Sequence, residues 1–529
     1  MLNTERVLRL RRVVGRREDA VLKHKMPDHF GSDLESSLFP VRMEAEPMPI
    51  SFESPSNFVS QPVTNGTSQG RRDFLKVSGT ALLGGVAARS MAADDPAPQA
   101  PSTPDANIDR DPLLISDHPE IIKSRDLALQ ILKPTRQHLE RGLQLHRRSL
   151  VFDSYGFSPR AAIDGDFLAE RMAQGISDQE VQNLREEMSM TRAARVPRER
   201  EEFLAAMTAA GVTCIFQNAG EEGNDPVRLL RRLAHFTYLG DHFGDGLKRA
   251  TSPIDIRTAH SAGEHCLYLT GNGVPLPSVR TNVSEDLGLI RLFFELGIRM
   301  MHVTYNRRNL LGDGCAETAN GGLSDFGRAA VAEMNRIGVI VDVAHSGWQT
   351  SLEAAQTSAK PMVASHTTCE GLFRHIRSKP DNVIKAICDT GGLIGICCIP
   401  SFLAGSGDIA MLIEHVDYVV RKFGADHVAI GTDAGHTSRY YNTEIRKLKS
   451  RGTRLPRFAA LWPEGALGGN WPNSRSLAWT NWPLFTVGLV QKGYSDETIQ
   501  KILGGNVLRV CEAALASPVS QIPDTRALP

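Results

Sequence analysis

Three stretches of this chain run apolar and then stop on a residue able to hold a metal or move a proton. They are Val339-Ile340-Val341-Asp342-Val343-Ala344-His345, Pro361-Met362-Val363-Ala364-Ser365-His366 and His427-Val428-Ala429-Ile430-Gly431-Thr432-Asp433. Two imidazoles and a carboxylate that meet in space make a hydrolytic metal site, because neutral ring nitrogens and carboxylate oxygens suit a divalent ion that acidifies water. The elements they terminate are what would bring them together. A near-continuous β-branched run of this length reads as a strand buried on both faces, the signature of a parallel sheet. In a closed parallel barrel the C-terminal strand ends share one mouth, so His345, His366 and Asp433 are expected to converge there.

The rest of the chain has the cadence such a barrel needs. Strand-like runs at Ser149–Asp153, Val212–Gln217, His265–Leu269, Arg299–Thr304 and Gly392–Cys397 join the three already named to give eight. Helical patterns fall between them at Arg198–Ala210, Asp225–Phe243, Asp286–Leu296, Asp325–Ile337, Gln349–Ser358, Asn382–Asp389 and Ile409–Phe423. One helix, Pro119–Arg147, leads in, and another, Tyr494–Ala513, closes the domain. Alternation of this kind predicts an α/β fold, a (β/α)8 TIM barrel of the metal-dependent hydrolase (amidohydrolase) type over residues 148–515. The stretch Thr437 to Trp479, with its Arg, Gly, Pro and Trp, reads as an insertion on the barrel top.

Bulk composition narrows the partners. The 529 residues carry 60 basic and 60 acidic side chains, so no net charge draws the chain to nucleic acid or to an anionic membrane. The eight cysteines show no CxxC pair, and most lie in apolar runs, as small buried hydrophobes do. At Gly70-Arg71-Arg72-Asp73-Phe74-Leu75-Lys76 a twin arginine precedes a short apolar run, Val77 to Ala88, and then Ser90-Met91-Ala92-Ala93-Asp94. This pattern resembles a twin-arginine (Tat) export signal over residues 70–93, and the run is too short to span a bilayer. A periplasmic or extracellular location, reached through the Tat export machinery without a transmembrane anchor, is the expectation. Residues 1–69 then read as a disordered extension or a mis-set start, with Met43 or Met48 the more natural beginnings. Residues 94–147 read as a linker and helical segment, and 516–529 as a tail.

Several segments together resemble the membrane dipeptidase family (renal dipeptidase, peptidase M19). They are 295–306 (ELGIRMMHVTYN), 322–328 (GLSDFGR), 340–345 (IVDVAH), 364–367 (ASHT), 415–418 (HVDY), 428–433 (VAIGTD) and 504–509 (GGNVLR), in the family's order. The resemblance implies a TIM barrel, a binuclear zinc centre, hydrolysis of dipeptides and, more weakly, a homodimer. It matches the family's two strand-end histidine ligands to His345 and His366, an aspartate beside the catalytic water to Asp433, and a carboxylate-gripping arginine to Arg377.

The first strand departs from the family. The His-x-Asp pair that binds the other zinc is replaced by Tyr155 and Phe157 in Asp153-Ser154-Tyr155-Gly156-Phe157. The bridging glutamate falls near Asn272, and a further family histidine is Tyr305 here, a candidate substrate contact. Asn272 is the remaining candidate for a metal ligand at the bridging position, and Asp153, or Glu221 and Glu222 beyond the second strand, are carboxylates that could supplement a single-ion site. The expectation is therefore one zinc ion or none, held by His345, His366 and Asp433. Asp433 would serve as the proton acceptor and Arg377 as the carboxylate anchor for a small dipeptide or amide. The rival expectation is a non-catalytic M19-like barrel, without a metal centre, that acts as a binding protein.

Overall fold

The computed structural model describes residues 114, 116–220, 223–277, 282–448 and 460–516. The twin-arginine segment, the linker to residue 113, Glu221, Glu222 and the C-terminal tail lie outside the described residues.

The strands are β1 (Phe152–Gly156), β2 (Cys214–Asn218), β3 (Leu247–Ala250), β4 (His265–Gly271), β5 (Ile298–His302), β6 (Ile340–Asp342), β7 (Val363–Cys369), β8 (Ser378–Lys379), β9 (Leu393–Ile396) and β10 (Val428–Ile430). Eight of them form one parallel path in the order β10-β9-β7-β6-β5-β4-β2-β1, while β3 adds to β4 and β8 to β7. The ends of the path meet. Asp433 N–H donates to the Tyr155 carbonyl (2.9 Å) and Phe157 N–H to that of Ala434 (3.0 Å). This is the nearly closed (β/α)8 barrel that the alternation implies.

Side chains fill the barrel rather than line a pore. Phe152, Phe216, Tyr268, Met300, Ile340, Val363, Leu393 and Ala429 make one buried layer, roughly one residue per strand. Above it the packing is tighter. A Cβ at either Gly395 or Gly431 would stand 1.9 Å from the Ser365 carbonyl oxygen, so only glycine admits that approach. A second apolar cluster fills the space between the strands and the outer helices.

The elements differ from expectation in a few places, each for a local reason. The lead-in helix is two, Pro119–Leu132 and Arg136–Arg148. Lys133 turns left-handed (φ 46°) ahead of Pro134, which has no N–H to continue the helix. Helices Gly165–Ala173 and Asp178–Arg195 follow β1, the second started by a capping box between Ser177 and Glu180. β6 stops at Asp342 rather than running to His345, because the Asp342 carboxylate accepts the Ala344 N–H (2.9 Å) and turns the chain. The closing helix is Asp496–Gln500, a π turn and Asn506–Leu515, and it is preceded by Trp482–Gln491, nearly all of it buried. None of the described helices is long and apolar enough to cross a membrane.

Candidate active site

His345, three residues past the end of β6, and His366, within the neighbouring β7, meet as expected, with their Nε2 atoms 2.9 Å apart. The partner of each other ring nitrogen decides what that contact means. His345 Nδ1 faces the Asn306 amide oxygen at 2.7 Å, and that oxygen also accepts the Cys315 thiol (3.1 Å). An amide oxygen only accepts, so Nδ1 carries the proton and Nε2 is bare. Ser365 gives its hydroxyl proton to Asp342, so its oxygen accepts from His366 Nδ1 at 2.9 Å. His366 Nε2 is therefore bare too. Two buried lone pairs pointed at one another repel unless a cation lies between them. Burial, then the charge of Arg377, holds both imidazoles well below their ordinary range, which opposes a shared proton. The donor set fits a metal ion, with outer partners that fix each ligand's tautomer.

Asp342 and His302 lie beneath this pair. Asp342 is wholly buried, accepts Ser365 N–H (3.0 Å) and pairs with His302 Nε2 (2.8 Å). Burial pushes its carboxyl up, but His302 and the Ser365 donors hold it below the usual carboxylate range. It thus stays charged, and through Ser365 it orients His366. His302, Asp342 and His366 form a compact group of ligand atoms.

Among the described residues, the position of the family's His-x-Asp pair offers no comparable set. The Tyr155 ring stacks on His366 (3.8 Å between centroids), and its hydroxyl donates to Asn272 Oδ1 (2.6 Å). Phe157 packs edge-on to Tyr155. A phenol bound to an amide oxygen supplies neither the charge nor the bridging carboxylate that a second divalent ion needs. Asp153 is buried with its oxygens occupied. They accept from Thr432 N–H (2.9 Å), the Thr432 hydroxyl (2.6 Å), Tyr155 N–H (3.3 Å) and the Trp479 indole (3.1 Å). Burial raises its carboxyl to about 7 against those donors. Its place is to tie β10 to β1.

Tyr305 stacks on His345 at 3.9 Å, so each ring of the histidine pair is backed by a phenol. Asp433 stands on the rim, half-buried and in a left-handed conformation (φ 53°), and it interacts electrostatically with Arg160. It belongs to neither of the two compact groups of ligand atoms among the described residues. Arg377 is fully buried beside the histidines. Its Nε donates to the Ala344 carbonyl (3.3 Å) and Nη2 to that of His366 (2.8 Å), while Nη1 is buried with no hydrogen-bond partner among the described residues. Lys379, also buried, donates to the Ser346 carbonyl (2.6 Å) and Ser351 hydroxyl (3.0 Å), and burial brings its ammonium down to about 7.

Sequence reasoning does not single out His302, Asn306, Asp342 or Lys379. His302 offers one signal, a histidine closing the apolar end of a strand. The others act through partners that only the folded chain supplies.

Comparison with known proteins agrees with this geometry. Residues 143–444 match the membrane dipeptidase family, peptidase family M19. Dipeptidase tcpJ of Claviceps purpurea (strain 20.1) is 24% identical over 319 residues, 59% of this chain and 63% of the relative. Dipeptidase aclJ of Aspergillus oryzae (strain ATCC 42149 / RIB 40) is 30% identical over 201 residues, 36% and 46% of the two. The chain thus spans less than two thirds of the length of these curated relatives. An amidohydrolase from Pseudomonas aeruginosa superposes with a TM-score of 0.51 and 25% identity over 71% of this chain and 99% of its own. The family match covers more than half of the sequence and takes in the strands, both facing histidines and Arg377, so the chain belongs to the membrane dipeptidase family, peptidase family M19.

Proposed function

We propose that this chain is a dipeptidase-like hydrolase built around a single divalent ion, zinc being the metal the ligand chemistry favours. The observation that carries the reading is the pair of bare Nε2 atoms of His345 and His366, aimed at each other by partners that keep them bare. Those two histidines would hold the ion. A divalent cation so held supplies Lewis acidity, acidifying a water and polarising a carbonyl. The chain's own groups do the rest. Arg377 turns Nη1 to the substrate's carboxylate, Asp433 takes the proton of the attacking water at the rim, and Tyr305 and Tyr155 wall the histidines from solvent. The substrate class is a dipeptide or a related amide with a free carboxylate.

The deciding experiment is elemental analysis of the purified chain, followed by a screen of dipeptides with zinc-loaded protein against a His345→Ala control. Hydrolysis above that control with one tightly bound ion per chain is the expected result. Arg377→Ala should weaken carboxylate-bearing substrates by about 2 kcal/mol, the scale of a lost charged hydrogen bond, while leaving turnover less affected.

One observation favours the second reading, a metal-free binding barrel. Tyr155 and Asn272 satisfy each other where the family keeps charged ligands. No hydrolysis of any dipeptide, acyl-amino acid or lactone above the control would decide for it. Export through the twin-arginine pathway is proposed alongside, on the Arg71-Arg72 segment. Replacing both arginines with lysine should leave the precursor inside the cell.

A further inference from the structure

Two buried N–H donors next to the histidine pair have no hydrogen-bond partner among the described residues. One is Arg377 Nη1. The other is the indole Nε1 of Trp462. Trp462 does not belong to the stretch that matches the family, which ends at residue 444; it comes from the insertion after β10. That insertion is pinned to the barrel rim on both sides of the tryptophan. Arg307, in the loop after β5, donates from Nε to the Ala460 carbonyl (3.1 Å), and His375, in the loop after β7, donates from Nε2 to the Ala466 carbonyl (2.9 Å). Between these two anchors the Trp462 ring lies nearly parallel to Phe402 (6.0 Å, 20°) and edge-on to His345 (6.3 Å). The Arg377 guanidinium sits over both walls, 5.2 Å from the Phe402 ring and 6.0 Å from that of Trp462.

A buried polar N–H without a partner destabilises a fold, a charged one more so, and here two such donors belong to neighbouring side chains, the Arg377 guanidinium lying over the Trp462 ring. Aromatic walls exclude the water that would otherwise satisfy them. We infer that Trp462 and Arg377 form a two-donor subsite for one carboxylate, in which Arg377 Nη1–H and Trp462 Nε1–H each take an oxygen while the Phe402 and Trp462 rings flank the carbon that bears it. The inference rests on the hydrolase reading for its place in a reaction but not for its chemistry. Nε and Nη2 of Arg377 are held by backbone carbonyls, so the arginine has one side to offer rather than a full fork. An anion with two oxygens in a plane suits one arginine donor plus one indole donor better than a phosphate does. Because the guanidinium is fully buried, the group it holds must end the substrate. The site therefore selects small molecules with a terminal carboxylate and rejects peptides that continue past it.

The test uses ligands without a scissile bond, so that binding is read apart from catalysis. Titration calorimetry of the zinc-loaded full chain with 3-phenylpropionate and with 3-phenylpropionamide compares acid and amide. Wild type should bind the acid at least about tenfold more tightly than the amide. Trp462→Phe keeps the ring and loses the N–H, and it should weaken the acid about tenfold while barely changing the amide. Arg377→Gln should abolish the preference. A Trp462→Phe protein that binds the acid as wild type does overturns the role of Trp462, and so does a wild type that binds acid and amide alike. If the acid preference holds but no dipeptide is cleaved, the subsite stands and the hydrolase reading falls. If dipeptides are cleaved without any acid preference, the reverse holds.

Discussion

Among the described residues, histidines meet at the barrel mouth and again around Glu202, and the two places carry their protons in opposite ways. At the barrel mouth, Asn306 and Ser365 take the protons of His345 and His366 on the outer nitrogens, so the inner nitrogens converge bare. At the other group, His118 and His436 close on Glu202 with Nε2–Oε1 distances of 3.0 and 3.2 Å. There His118 Nδ1 accepts the Glu120 N–H as the cap of its helix, which puts the ring proton on Nε2, facing the carboxylate. Glu202 also accepts Arg439 Nε (2.7 Å) and the Arg439 backbone N–H (3.2 Å). That group is complete as it stands, with a carboxylate surrounded by donors. Ligand atoms lie close enough to hold a metal at both places, in His118, Glu202 and His436 at one and in His302, Asp342 and His366 beside His345 at the other. The proton positions separate them: one arrangement suits a cation, and the other is a clamp holding the N-terminal helix and the loop after β10 to helix Pro197–Ala210.

The largest expected effect tests this separation directly. His345→Ala or His366→Ala should remove the bound ion and all hydrolytic activity, whereas His118→Ala or His436→Ala should leave metal content unchanged, as read by elemental analysis. Ion loss on changing the Glu202 group would erase the distinction. The next test rebuilds what β1 lacks. The triple variant Tyr155→His, Phe157→Asp, Asn272→Glu returns two ligands and a bridging carboxylate, and it should take up a second ion. A smaller effect is expected from Ser365→Ala, which frees His366 Nδ1 from its fixed partner. Metal affinity should fall about 10- to 100-fold with the fold intact, the usual cost of losing a ligand's outer partner. Competition with a chelator of known affinity measures it.

The sequence reveals the barrel and two of its mouth histidines for one physical reason. Strands buried on both faces leave an unbroken apolar signal, and the polar residue that ends each run stands out at the mouth. His345 and His366 are legible in that way. His302 is not, because the run Arg299-Met300-Met301-His302 hides it among residues that read as core. Asn306 and Ser365 are illegible as determinants of charge, since which ring nitrogen keeps a proton depends on contacts made only after folding. Trp462 lies in a stretch of Gly, Pro and Arg with no periodicity to place it. Helices Gly165–Ala173 and Asp178–Arg195 escape notice because their polar sequence carries a weak apolar stripe, and the break at Pro134 sits within an otherwise continuous helical pattern. The sequence groups Asp433 with the histidines, whereas in the fold it is half-buried with a left-handed backbone and lies outside the compact group of His302, Asp342 and His366.

The smallest expected effect concerns the clamp, and it appears in stability rather than in chemistry. Burial works against the Glu202 charge, but His118, His436 and Arg439 together hold its carboxyl well below the ordinary 4.5. In the unfolded chain those partners are gone and the carboxyl takes a proton near its ordinary value. The unfolded state therefore binds that proton first. The stability from this group is full above about pH 4.5 and drains as acid is added, by about 1.4 kcal/mol per pH unit for one proton. Glu202→Gln removes both the charge and this titration. At neutral pH it should cost about 3 kcal/mol, the scale for breaking one side of a buried ion pair, with the metal still bound. Below pH 4.5 the gap between variant and wild type should close, because wild type loses what the variant never had. Urea midpoints measured from pH 7 down to pH 3 would show the two curves converging. Curves that stay parallel would mean that Glu202 is not charged in the folded chain, and that the clamp is held by packing rather than by the donors around its carboxylate.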